Sequence, residues 1–298
     1  MDKFTGVHDI IDINITIKSM KTINGLSIVA TPIGNLDDIS LRAINTLKEC
    51  DVIICENPKH SLKLLNKLDI KKKLIALHDY NEHAVIKKID NLLKNKNCVL
   101  ISDAGSPLIS DPGYNLVKYC IQNNIGVTSI PGPSSIISSL QLSGLPLSEF
   151  IFFGFAPKSK KKSEDLIKNI AKEKKTCVIF VSNQRLVIFL ELLECFTPDR
   201  KISVCKELTK VNEFVFRGMP VKIKDDILQK KEALKGEFVV VIDGLTLKKH
   251  DFDEIDLYEK ELKKMIEKFS LTDIVEIVHK FTKINKNKIY KWLLKLKK

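Results

Sequence analysis

Five short apolar runs, each ending in a turn and followed by a helix-like pattern, constrain this chain more than any other feature. They are LSIVAT (26–31), DVIIC (51–55), KLIAL (73–77), NCVLIS (97–102) and GVTSI (126–130). Single helices fit between them: ISLRAINTLKEC, a helix opening in ENPKHSLKLLNKL, one across 82–94, YNLVKYCIQNN, and PGPSSIISSLQLSG after the fifth run. Connections this short demand parallel βαβ units with right-handed crossovers. The expected class is therefore α/β, with a parallel sheet in the first half.

FIFFGFAP (150–157) then leads into a lysine run, KSKKKS (158–163), the composition shift expected to divide the two halves. Beyond it KTCVIFVS, KISVCKELT, NEFVFRGMP and GEFVVVIDG read as strands, with helices around 164–174, 184–196 and 222–234. KISVCKELT followed at once by NEFVFRGMP implies an antiparallel hairpin, so the second sheet should be mixed. Residues 252–298 read as helical: Ser270 can cap a helix with Asp273 in a capping box, and another helix follows Asn285. A small helix-turn-helix and a plain helical hairpin both satisfy that pattern. Residues 1–25 show no periodicity; Asp2, Asp9 and Asp12 argue against a cationic targeting peptide, and Met20 could be the start. The expected organisation is an N-terminal extension (1–25), an α/β domain (26–150), a mixed α/β domain (151–248) and a basic helical tail (252–298).

At 298 residues, 44% hydrophobic and 29% charged, the chain has an ordinary globular composition. No apolar run approaches the roughly 20 residues of a membrane helix. The seven cysteines lack a C-x-x-C and sit mostly in apolar runs, so buried thiols in a reducing cytoplasm are expected rather than disulfides or a metal. Residues 1–150 carry 16 Lys and Arg against 15 Asp and Glu, while 151–298 carry 33 against 22. A basic second half points to a polyanionic partner, nucleic acid being the simplest, although a solvated lysine-rich surface gives the same count.

Ligands of parallel sheets bind beyond the carboxyl ends of the strands. The five turns there hold Pro32-Ile33-Gly34-Asn35 with Asp37 and Asp38, Glu56-Asn57-Pro58, His78-Asp79-Tyr80-Asn81-Glu82, Asp103-Ala104-Gly105-Ser106-Pro107, and Pro131-Gly132-Pro133-Ser134-Ser135. No glycine-rich phosphate motif follows any strand, and carboxylates at nearly every turn would repel a pyrophosphate. They suit a ligand with cationic and hydroxyl-rich parts, such as S-adenosylmethionine with its sulfonium, ammonium and ribose diol. Asp37, Asp38 and Asp111 could equally do no more than complement helix N-termini.

TPIGNLDDIS, LHDYNE, SDAGSPLISDPG, PGPSS, KELTK (206–210) and GEFVVVIDG (236–244), in this order and spacing, resemble the RsmI family of 16S rRNA 2′-O-methyltransferases, within the tetrapyrrole methylase superfamily. The resemblance runs from about residue 26 to the C-terminus. It implies a two-domain fold with S-adenosylmethionine in the cleft and a cytoplasmic homodimer. The activity implied is methylation of the ribose 2′-oxygen of a cytidine in the decoding region of the small subunit. It places cofactor contacts at Pro32 and Gly34, at Asp103, Ala104, Gly105 and Ser106, at Pro133, Ser134 and Ser135, and at Phe180, Val181 and Ser182, with the start of GEFVVV closing the pocket. The chain departs from the family's E-D-T-R-H at Glu56-Asn57-Pro58-Lys59-His60. It also departs from Y-E-S-x-H-R at 180–185, where Val181 and Gln184 replace a carboxylate and a histidine.

Methyl transfer to an alcohol needs an in-line approach and a route for the hydroxyl proton. Candidates for that route are Asp103, Glu56, His60, His78, Lys206 and Glu207. Lys206 with Glu207 could hold an RNA phosphate or form a surface pair, and His78 could be purely structural. RNA phosphates are expected on Lys158, Lys160, Lys161 and Lys162 and on the tail lysines Lys283, Lys286, Lys288, Lys291 and Lys295. Tyr290 and Trp292 could stack on bases, or Trp292 could pack the tail. The alternatives are a methylase of corrins or porphyrins and a non-catalytic RNA- or ribosome-binding protein.

Overall fold

The computed structural model of the protein describes residues 24–229, 234–245, 259–282 and 284–296. Lys283, Met20 and the expected N-terminal extension up to residue 23 lie outside them. Residues up to Asp243 cluster as one compact unit and those from Gly244 as another.

In the first unit, strands β1 (Gly25–Val29), β2 (Val52–Cys55), β3 (Lys73–Ala76), β4 (Asn97–Ile101) and β5 (Gly126–Ile130) form an all-parallel sheet in the order β3-β2-β4-β1-β5. Helices α1 (Leu41–Glu49), α2 (Pro58–Lys67), α3 (Glu82–Asn95), α4 (Tyr114–Gln122) and α5 (Ser135–Ser143) alternate with the strands. Side chains alternate across a strand, and both faces are dry. Cys98 and Leu100 of β4 enter one apolar cluster with Leu93 and Leu116, whereas Val99 and Ile101 enter the opposite one with Leu47 and Leu65. That two-sided burial explains why the runs read as continuously apolar.

The second sheet is mixed, as the sequence implied: β6 (Phe150–Phe155), β7 (Thr176–Ser182), β8 (Ile202–Lys206), β9 (Phe214–Gly218) and β10 (Glu237–Ile242) lie in the order β6-β7-β10-β8-β9. Only β6 with β7 is parallel, and β8 with β9 is the expected hairpin. Helices α6 (Lys160–Ile170), α7 (Asn183–Phe196) and α8 (Pro220–Gln229) cover one face. The other face takes α5: Ile136 and Leu140 pack with Val178, Cys205, Val239 and Val241. A helix contributed by the first half thus fills the core of the second. The lysine run expected to divide the halves instead opens α6, with Ser159 capping the Lys162 N–H; β6, before it, already belongs to the second sheet.

Six of the seven cysteines are buried, and burial pushes the thiols of Cys98 and Cys177 up to about 12; Cys195 is exposed. In the second unit, α9 (Glu259–Ile266), α10 (Leu271–Thr282) and α11 (Lys286–Leu296) make a small core around Ile274, Ile289 and Leu293. Ser270 caps α10 as expected, its Oγ accepting from the Asp273 N–H at 3.2 Å, but it donates to the Asp273 carboxylate at 2.6 Å through its hydroxyl, where a capping box would use its backbone N–H. Trp292 is buried in this core, so it packs the unit rather than offering a stacking face, while Tyr290 is exposed.

One buried carboxylate ties α4 to α3. The α4 N-cap is Gly113, which has no side chain to cap with, and Glu82, 4% exposed, supplies the missing acceptor. Its Oε1 receives the Leu116 N–H and its Oε2 the Asn115 amide, each at 2.9 Å. Glu82→Ala is expected to cost about 2 kcal/mol in urea unfolding by orphaning buried donors, and Glu82→Gln less; equal stability of wild type and Glu82→Ala would refute the capping role.

Candidate active site

Strands β4, β1 and β5 are neighbours, so the turns leaving their carboxyl ends converge. They form one wall of a cavity of about 470 Å³ through Ile33, Asp103–Ser106, Ile109–Asp111 and Ser134–Ile136. The second sheet supplies the facing wall: Phe155, Phe180–Asn183, Cys205, Leu208 and Gly236–Val239. β2 lies beyond β4, which is why Glu56 and His78, after β2 and β3, do not reach the cavity.

Backbone contacts hold the walls. The Thr31 N–H donates to the Gly105 carbonyl at 2.9 Å and the Gly105 N–H to that of Thr31 at 3.0 Å, clipping the β1 turn to the β4 turn. Gly105 adopts φ +78°, and a Cβ there would sit 3.2 Å from Ile33. Gly34 is required by contact: a Cβ would lie 2.5 Å from Lys210 Cγ and 2.8 Å from the Leu208 carbonyl. At that point the β1 turn presses on the loop that follows β8. Leu108 and Ser110 on the β4 loop, and Glu207 and Thr209 on the loop after β8, have φ between 50° and 75° without being glycine. Such conformations persist only where surrounding structure enforces them.

The electrostatics are acidic. Asp103 Oδ2 lies 3.3 Å from His60 Nδ1, and its Oδ1 is buried with no partner. Asp111 is pushed up to about 6, chiefly by burial; the Ser102 hydroxyl opposes this, and Glu56 and Asp103 add to it. Glu56 is raised by burial, then by Asp103 and Asp79, with His78 opposing. The Ser182 hydroxyl, also on the cavity, is a second buried oxygen without a partner.

Nine expected contact residues line the cavity: Asp103, Ala104, Gly105, Ser106, Ser134, Ser135, Phe180, Val181 and Ser182. Pro32, Gly34 and Pro133 do not; they shape the turns from behind. Of the proton-route candidates only Asp103 is on the wall. Lys206 ends β8, and Glu207 is engaged: its Oε1 accepts the Glu237 N–H at 2.9 Å and pairs with Lys210 at 3.0 Å. Burial opposes its ionisation, but these partners outweigh it and hold the carboxyl below its ordinary value. Asp37 and Asp38 are exposed in a one-turn 3₁₀ helix, whereas Asp111, for which a helix-terminus role was one of two readings, lines the cavity. Its signal was the full SDAGSPLISDPG loop, of which the expectation used only the first half. Phe155 and Leu208 had no local signal, since partnership across two sheets selects them.

The two departures from the resembled family settle into the structure. Asn57 caps α2 by accepting the Lys59 and His60 N–H groups, with Pro58 at the first helical position, where its missing N–H has no consequence. Val181 is 2% exposed and packs with Leu186 and Phe189 on the helix-covered face, so it gives the cavity main chain. Lys158, Lys160, Lys161 and Lys162 are exposed at the start of α6; Lys288 and Lys291 are exposed on α11, and Lys286 there pairs with Glu276. Among the described residues no group of three metal-ligating side chains converges, and no helix is long and apolar enough to cross a membrane.

Residues 25–219 match the family model of tetrapyrrole (corrin/porphyrin) methylases. The chain is 43% identical over 222 residues to Ribosomal RNA small subunit methyltransferase I of Thermotoga maritima, covering 74% of this chain and 98% of that protein. It is 37% identical to the protein of that name from Vibrio cholerae, over 90% of this chain and 93% of the other. Among solved structures, uroporphyrin-III-C-methyltransferase from Thermus thermophilus shares the fold at a TM-score of 0.51 and 17% identity, covering 80% and 98%. A cobalt precorrin-4 methyltransferase does so at 0.53 and 18%, covering 73% and 94%.

Folding raises the Asp111 carboxyl from 3.8 to about 6, so between those values the folded chain binds more protons than the unfolded one. Stability contributed by this group therefore falls as pH rises through that window. Asp111→Asn should flatten the fall, read as urea midpoints of wild type and variant from about pH 4 to 7; parallel curves would show that the carboxyl titrates normally.

Proposed function

Because the chain belongs to the tetrapyrrole methylase family, and within it to the ribosomal RNA small subunit methyltransferase I family, we propose that it methylates small-subunit ribosomal RNA with S-adenosylmethionine as donor. The acceptor in this reading is the ribose 2′-oxygen of a cytidine in the decoding region, and the working form is a cytoplasmic homodimer.

The observation that carries the cofactor assignment is the pair of orphaned buried oxygens on one cavity wall each, Asp103 Oδ1 and Ser182 Oγ. Buried polar atoms are nearly always hydrogen-bonded, so these two call for a ligand with donors. An ammonium and a ribose diol provide them, beside a carboxylate that would repel a phosphate. Phe180, edge-on to Phe152 at 4.8 Å and Phe155 at 5.1 Å, offers apolar surface for the rest. When bound, the cofactor supplies an electrophilic methyl group. The chain's own residues would do the remainder: Asp103, Ser106, Ser134 and Ser182 orient, Ile33, Phe180 and Leu208 exclude water, and the strained rims keep the geometry fixed.

Exposed lysines at the start of α6 favour an RNA phosphate chain over a corrin or porphyrin. Val181 and Gln184, the changes that would suggest a silent protein, lie respectively in the helix-covered core and on the exposed first turn of α7, and Gln184 is not among the residues lining the cavity.

Methyl transfer from radiolabelled S-adenosylmethionine to small ribosomal subunits lacking the mark, followed by ribose-methylation mapping, tests the reading. One new 2′-O-methylcytidine is expected. Asp103→Ala should weaken cofactor binding about 10- to 100-fold, the worth of a hydrogen bond to a charged group. Cofactor binding without transfer to these subunits would exclude the RNA substrate, and absence of both would exclude the enzyme.

A further inference from the structure

We propose that Phe155, with Ile109 from the opposite wall, is the surface that receives the base of the acceptor nucleotide, an inference that rests on the RNA-methylation reading above. A side chain that lines the cavity and is also exposed marks its mouth. Among the described residues the large apolar side chains that do both are Phe155, 61% exposed, and Ile109, 48% exposed, one from each wall. The two segments adjoin, since a Cβ on Gly154 would lie 3.9 Å from Ser110 Oγ.

Phe155 stands there because β6 breaks its register. Phe152 pairs with Val178 and Phe155 with Phe180, so three steps on β6 match two on β7, a bulge of a kind rare between parallel strands. Regular alternation would send Phe155 to the face opposite Phe152. With the extra residue, Phe153 and Ala156 pack with the helix-covered core, whereas Phe152, Phe180 and Phe155 share the cavity side, Phe180 edge-on to both the others. Gly154 absorbs the irregularity at φ +70°, a conformation glycine adopts without steric cost. Phe152 and Phe180 are half-buried, but the re-aimed ring of Phe155 stays exposed, so the bulge does not serve the core. Bulges beside active sites re-aim side chains toward what binds there.

Size and charge select the occupant. A cavity of about 470 Å³ takes one small ligand, in this reading the cofactor, so an RNA acceptor meets the protein at the mouth. Asp103 and Asp111 on one wall and Glu237 on the other disfavour a phosphate at that point. An unpaired nucleobase is flat and uncharged, and single-stranded RNA is recognised by stacking such bases on aromatic rings. The phosphates of the same strand have cations at hand: the exposed lysines Lys158, Lys160, Lys161 and Lys162 begin three residues after Phe155.

Steady-state methyl transfer to unmethylated small subunits at saturating cofactor, with cofactor affinity read separately by calorimetry, tests the proposal. Phe155→Ala should lower kcat/KM for subunits about 5- to 150-fold, chiefly through KM, the worth of one base–aromatic stack. Phe155→Leu, which keeps apolar bulk without a π face, should fall nearly as far, and Phe155→Tyr should stay within about threefold of wild type. Cofactor affinity should move by less than about twofold in all three, a split that general damage to the fold would not produce. The proposal is overturned by a Phe155→Ala kcat/KM within about twofold of wild type, or by equal activity of Phe155→Leu and Phe155→Tyr. A loss of cofactor affinity as large as the loss in kcat/KM also overturns it, by placing the cofactor's adenine on the ring. If Phe155→Ala does not fold, the comparison of Phe155→Leu with Phe155→Tyr decides alone. A wild type inactive on subunits sinks the RNA-methylation reading together with this one; an active wild type with an indifferent Phe155→Ala sinks only the base site.

Discussion

The packing of α5 against the second sheet is the contact on which the rest depends. Ile136 and Leu140 enter a core otherwise built from Val178, Cys205, Val239 and Val241, and the Arg217 guanidinium grips the Leu142 carbonyl from β9 at 2.8 Å. The helix follows directly from the β5 turn, so burying its apolar face also sets where that turn stands against the second sheet. Five or six buried aliphatic side chains at about 1.5–3 kcal/mol each outweigh the ordering of the short segments between them. The cavity is the space left between two sheets that cannot separate without exposing this core.

Within that frame the polar chemistry gathers on the two facing walls. Asp103 and Ser182 each offer a buried oxygen without a partner, and Asp111 lines the same cavity from the β4 loop. Burial, then Asp103 and Asp79, raise the Glu56 carboxyl, with His78 opposing, and burial is the chief cause of the raised Asp111 carboxyl.

Much of the fold could be read directly from the chain, since two-sided burial turns β2 and β4 into uninterrupted apolar runs and turn residues mark their ends. The hairpin of β8 and β9 followed from adjacency. What could not be read was partnership between distant segments. Nothing in SSIISSLQL says that α5 belongs to the other sheet, and nothing near Phe155 or Leu208 says that they close a cavity. The lysine run misled because a composition shift looks like a linker, while Ser159 before three lysines is also a capped helix start. Asp111 was read locally, as an acid ahead of a helix. Its carboxyl is raised chiefly by burial, and Glu56, which adds to that, arrives from the end of β2.

The alternation along β7 has one more consequence. Cys177, Ile179 and Val181 turn toward the helices, and Val178 and Phe180 toward the other face. At Val181 the ligand side is therefore peptide backbone, which no amino-acid replacement can edit. A change of side chain at this position is felt in the helix-covered core, while the peptide on the ligand side keeps its place. A motif can thus fade from recognition at the very position where the physical object it once named has not altered.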